Sequence, residues 1–124
     1  MQPVLEPVSP YPALLLRGSE DRILVIADLH IGWEVALSQQ GIHIPSQTAK
    51  LVDKLERIVR TASPTELIVV GDVKHAIAKV ELEEWRDVPE FFEKAMKLVP
   101  IVKVLPGNHD GNLEPLIPRD ITIL

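Results

Sequence analysis

Short, dense apolar runs alternate along this chain with longer stretches in which apolar residues recur every three or four positions. ALLLRG (13–18) and RILVIADLH (22–30) have the length and composition of strands. Gly18, Ser19, Glu20 and Asp21 read as a turn between them, so the pair predicts a hairpin. WEVALSQQG predicts a short helix ended by Gly41. Pro45 and Ser46 open a longer helix, with Ser46 as its N-cap. Leu51, Val52, Leu55, Ile58 and Val59 form the apolar stripe of that helix, and Glu56 and Arg60 are placed to pair one turn apart.

Ser63 and Pro64 then break the chain, and ELIVVGD (66–72) follows as a continuous apolar run, the pattern of a strand covered on both faces. Helical spacing returns over 83–99 through Trp85, Val88, Phe92, Ala95, Met96 and Val99. Pro89 within that stretch predicts either a first turn or a break between two short helices. IVKVL (101–105) is the next strand, and ITIL (121–124) begins another. Residues 1–12, with four prolines, read as an extended lead-in. Strands alternating with helices predict an α/β layered domain with a largely parallel core, with a hairpin added at the front.

Size and composition narrow the function without naming it. At 124 residues the chain has the size of one domain and can bury a sizeable core. A net charge of -5 disfavours a broad basic surface for nucleic acid, although a local site could draw its positive charge from metal ions. The absence of Cys removes disulfides, thiolate metal sites and Cys nucleophiles. No apolar run has the length of a membrane span, and the N-terminus lacks the basic and apolar regions of a signal peptide, so a cytoplasmic location is expected.

The chemistry gathers where strands end. RILVIA runs into Asp28 and His30, ELIVV into Gly71, Asp72, Lys74 and His75, and IVKVL into Pro106, Gly107, Asn108, His109 and Asp110. Ligands of open α/β sheets sit outside the carboxyl ends of the strands, so neighbouring parallel strands would bring these clusters to one edge. Two partly desolvated carboxylates such as Asp28 and Asp72 repel unless one is protonated or a cation lies between them. Carboxylate, imidazole and amide donors together suit Mn²⁺, Fe or Zn²⁺. Asn108 supplies a neutral oxygen, which leaves His109 to act as an acid and Asp110 to orient it. Taken singly, each Asp is an ordinary turn former or helix cap; the combination with His30 favours metal. Lys74 and His75 either line the phosphate side of the site or continue a loop. His43 reads as a loop histidine, and Trp33 and Trp85 as packing residues.

DLH, GDVKH and GNHD, in this order and each after an apolar strand, resemble the calcineurin-like metallophosphoesterases. The likeness is nearest to the ICC-like phosphoesterase branch of archaea and bacteria, itself similar to the nuclease subunits of DNA-break repair complexes. It runs from about residue 13 to the end of the sequence. The resemblance implies a layered β-sandwich of two sheets flanked by helices, and hydrolysis of a phosphate ester, a phosphodiester or a nucleic-acid end included. It implies two divalent metal ions, Mn, Fe or Zn. Asp28 and His30 would bind the first, Asp72 would bridge the pair, and Asn108 would bind the second. His109 would be the general acid, oriented by Asp110.

The sequence departs from the family pattern at one point. Family members carry a further metal-binding His and a Gly-His-x-His segment after GNHD, and no His follows His109 here. The expectation is therefore the N-terminal portion of a single metallophosphoesterase domain, incomplete at its C-terminus. Its second metal site would be incomplete and its activity low or absent. The expected partners are a phosphate-ester substrate, no membrane, and further copies of the same chain. Nucleic acid stays open, unsupported by the net charge. A non-catalytic binding module that keeps a partial metal site is the competing reading. A nucleotide-binding domain is disfavoured, because no P-loop or Gly-x-Gly-x-x-Gly follows the first alternating strand.

Overall fold

In a computed structural model, residues 4–27, 29, 41, 47–71, 73, 82–107 and 113–124 are described. Their strands form one six-stranded sheet: β1 (Val4–Pro7), β2 (Ala13–Arg17), β3 (Arg22–Ala27), β4 (Glu66–Val70), β5 (Ile101–Leu105) and β6 (Thr122–Ile123). The spatial order follows the sequence order, β1 to β6. β1, β2 and β3 pair antiparallel, whereas β3, β4, β5 and β6 run parallel. The front hairpin and the parallel core are thus both present. The Gly18 amide donates to the Asp21 carbonyl at 2.9 Å and closes the expected turn.

Helix α1 (Thr48–Ala62) connects β3 to β4, and α2 (Leu82–Leu98) connects β4 to β5. The predicted stripe of α1 is the observed one. Leu55 and Ile58 are buried, and Leu51, Val52 and Val59 pack against the core. Glu56 and Arg60 form their ion pair on its outer side. α1 starts at Thr48 with Gln47 at the N-cap position, later than Pro45 and Ser46 suggested, and Ser46 lies outside the described residues. It ends where Ser63 adopts the left-handed conformation (φ 48°) and its amide donates to the Val59 carbonyl. Gly41 has φ +86°, a conformation that favours glycine; the helix expected before it lies outside the described residues, as do His43 and Trp33.

Pro89 does not divide α2, which runs unbroken from Leu82 to Leu98. An interior proline costs a helix about 3 kcal/mol. Val88, Phe91, Phe92 and Ala95 are all fully buried, and burying a large apolar side chain returns about 2 kcal/mol each time. The two phenylalanine rings meet edge to face with centroids 5.3 Å apart. Tertiary packing therefore outweighs the local break.

The core lies on one side of the sheet. Leu24, Leu67, Val69 and Val104, alternate residues of three adjacent strands, are fully buried in one cluster with residues of α1 and α2. Leu113, Leu116 and Ile121, around the 3-10 turn Glu114–Leu116, extend that cluster toward β6. The intervening residues face the other way. Ile68 and Val70 are half-buried, so among the described residues the second face of β4 is only partly covered, where its unbroken apolar run suggested cover on both. The lead-in also differs from expectation. Val4–Pro7 pairs with β2 as an edge strand, which tolerates Pro7 at its end because an outer edge needs no ladder donor there. The second sheet implied by the family likeness is not among the described residues.

Candidate metal centre at the C-terminal ends of the parallel strands

The N-terminal ends of the parallel strands are tied together first. Thr65, directly before β4, donates its amide to the Arg22 carbonyl at 2.8 Å. Its hydroxyl Oγ1 accepts from the Arg22 amide at 3.0 Å and donates to the Arg22 carbonyl at 3.1 Å. Lys103 Nζ lies 2.8 Å from Glu66 Oε1 and joins β5 to β4. These bonds hold the register in which Ala27 is level with Val70, and Val70 with Leu105. The three strands that precede the candidate motifs therefore finish in one row on one edge of the sheet.

Chain connectivity then sets how far each candidate lies from that row. Asp28 is one residue past Ala27, Asp72 two past Val70, and Asn108 three past Leu105. Asp28, His30, Asp72, Lys74, His75, Asn108, His109 and Asp110 themselves lie outside the described residues. Their described neighbours are anchored. Leu29, between Asp28 and His30, packs against the core, and Val73, directly after Asp72, is fully buried. The Gly71 amide donates to the Leu105 carbonyl at 2.9 Å, one step beyond the ladder of β4 and β5. Gly71 has φ +81°, a conformation that favours glycine, so the chain turns sharply out of the sheet directly before Asp72. Each apolar anchor is a described neighbour of a candidate residue.

Two carboxylates, an imidazole and an amide oxygen make an oxygen-and-nitrogen donor set, which fits a hard or borderline divalent cation. Among the described residues alone, no group of three or more His, Asp or Glu is placed to hold a metal ion. A cavity of about 150 Å³ opens beside the end of β3. Ala27, Leu29, Leu51 and Phe91 line it, and among the described residues Lys54 of α1 is the charged one in its lining. Nothing in the sequence singles out Lys54, because on a helix it reads as one more solvated residue. Only the approach of α1 to the end of β3 places it there.

The parallel strands of this mixed sheet lead, at their C-terminal ends, into acidic and histidine-bearing motifs. Over residues 21–122 the chain matches the model of the calcineurin-like phosphoesterases, and it belongs to that family. No curated protein matches the chain. Among solved structures, the crystal structure of Pseudomonas putida nuclease MPE superposes with a TM-score of 0.58 at 21% sequence identity. The match covers 99% of this chain and 58% of that one, and it shows a shared fold. The chain thus spans under two thirds of that nuclease's length. No described helix is long and apolar enough to cross a membrane.

Proposed function

We propose that the chain carries the metal-binding half of a phosphoesterase that hydrolyses phosphodiesters, nucleic-acid ends among them, in a cytoplasmic setting. The observation that carries this reading is the common row of Ala27, Val70 and Leu105, from which all three motifs depart. Asp28, His30 and Asp72 would hold one divalent ion, and Asp72 and Asn108 a second. Mn²⁺, Fe or Zn²⁺ fits these donors. Once bound, such ions supply an activated water and neutralise charge on the phosphoryl oxygens. His109 would give a proton to the leaving oxygen, with Asp110 holding its ring in position. Lys74 and His75 would contact the phosphate from the side of β4. Membership of the ICC-like branch belongs to the same reading, as does the assignment of residues 1–124 to the N-terminal portion of a single domain.

The second ion has only Asp72 and Asn108 to hold it, because no histidine follows His109. Hydrolysis by residues 1–124 is therefore expected to be slow. The test is a Mn²⁺ titration of the chain in the presence of an aryl phosphodiester. Slow turnover that requires the metal and disappears in Asp72→Ala is the expected result. Metal binding with no turnover at any concentration would favour the binding-module reading instead.

A further inference from the structure

The cavity beside the end of β3 is built around the first motif. Ala27 and Leu29, the residues on either side of Asp28, both line it. Leu51 and Leu55 of α1 and Phe91 of α2 supply its helix walls. It therefore lies on the helix side of the sheet, away from the face that a second sheet would cover. Its volume is about 150 Å³, the size at which an apolar cavity takes up a benzene ring. Among the described residues, Lys54 is the one polar side chain in the lining. Lys54 is exposed and forms no ion pair with a described carboxylate, whereas Arg60 of the same helix is paired with Glu56. We propose that this cavity receives one ester substituent of the substrate, a ring-sized hydrocarbon group such as phenyl, while Lys54 contacts an anionic oxygen of the same molecule.

The lining selects the occupant. A hydrocarbon ring moved from water onto apolar walls gains in proportion to the area it buries. A nucleobase brings several ring donors and acceptors, and the described lining offers them no partner, so burying one there is costly. The charge fits as well. A lysine stem covers apolar surface while its ammonium stays in water, so Lys54 can wall the cavity and still meet an anion at the mouth. Consecutive Cα atoms are about 3.8 Å apart, so the cavity begins within one residue spacing of Asp28. Placing the phosphate at that motif rests on the hydrolase reading above; the cavity and Lys54 stand apart from it. A phosphodiester has two ester groups, and only one of them is assigned here.

Benzylphosphonate and methylphosphonate test the assignment, because they differ by the ring and neither is hydrolysed. Titration of residues 1–124 with each, followed by methyl NMR, should show benzylphosphonate binding about tenfold tighter or more. Its ring protons should show Overhauser contacts to the methyl groups of Leu29, Leu51 and Leu55, which reads the cavity without any variant. Leu51→Phe fills the cavity and should bring benzylphosphonate down to the level of methylphosphonate. Lys54→Met keeps the stem but removes the ammonium, and should weaken both phosphonates alike, about threefold, the scale of an exposed charge contact. Equal affinities in the parent chain, or ring contacts outside the cavity, overturn the proposal. Thymidine monophosphate placing its base in the cavity also overturns it, and an unchanged Lys54→Met overturns the part given to Lys54. A Mn²⁺ titration of the same sample separates this from the hydrolase reading. Ring contacts without Mn²⁺ binding support the cavity and contradict that reading; Mn²⁺ binding without ring contacts does the reverse.

Discussion

The parallel strands have two ends, and polar residues enter the sequence differently at each. At the N-terminal ends, Thr65 is bonded to both backbone groups of Arg22, and Glu66 is paired with Lys103. Those groups are satisfied within the sheet and fix its register. At the C-terminal ends, Ala27, Val70 and Leu105 form the last row, and the polar residues come after it in quick succession. One end spends its polar groups on the fold. The other carries Asp28, His30, Asp72, Asn108 and His109 past the last ladder bonds, where a ligand of an α/β sheet binds.

Substitutions at the two ends should separate accordingly. The largest effect is expected at His109. His109→Ala should lower the residual hydrolysis of a diester with a poor leaving group by about 100-fold, and of an activated aryl diester by less, because a general acid matters most when the leaving oxygen is basic. Rates for the two diesters, measured side by side, check this; equal losses would take the acid role from His109. Gly71→Ala comes next. At φ +81° an alanine should cost about 1–2 kcal/mol. It should also weaken Mn²⁺ binding, because Gly71 sets the turn directly before Asp72; urea unfolding and a metal titration read the two effects separately.

At the opposite end, Thr65→Val removes the hydroxyl contacts to Arg22. It should lower stability by about 1 kcal/mol, a typical net value for such bonds, with metal binding untouched. Lys103→Met should cost under about 1 kcal/mol, since the Lys103 side chain is about one-third exposed and solvent screens the pair. A loss of metal affinity in either of these variants would show that the two ends are not independent.

Much of the scaffold was legible in the sequence. β3, β4 and β5 are dense apolar runs, and α1 shows its stripe, so burial and periodicity report the same elements. Three features were not legible because tertiary contacts decide them. β1 hides among prolines and becomes a strand only by pairing with β2. Pro89 reads as a break, yet the burial of Val88, Phe91 and Phe92 keeps α2 whole. β4 reads as doubly covered, yet the side bearing Ile68 and Val70 is half-open among the described residues. Of the candidate site, the motif residues stand out because polar residues directly follow apolar strands. Lys54 and the cavity beside β3 do not, because that cavity is assembled by residues far apart in the chain.

The central claim is that Asp28, His30, Asp72 and Asn108 form a divalent-metal site at the carboxyl edge of the sheet. Isothermal titration of residues 1–124 with Mn²⁺, alongside Asp72→Asn and the control Asp21→Asn, tests it without requiring turnover. Asp21 lies at the start of β3, at the other end of the strand. The account predicts saturable binding that falls about tenfold or more in Asp72→Asn, the usual scale for disturbing a metal's coordination, and that Asp21→Asn leaves unchanged. Binding that is absent in the parent chain, or equal in all three proteins, would contradict it.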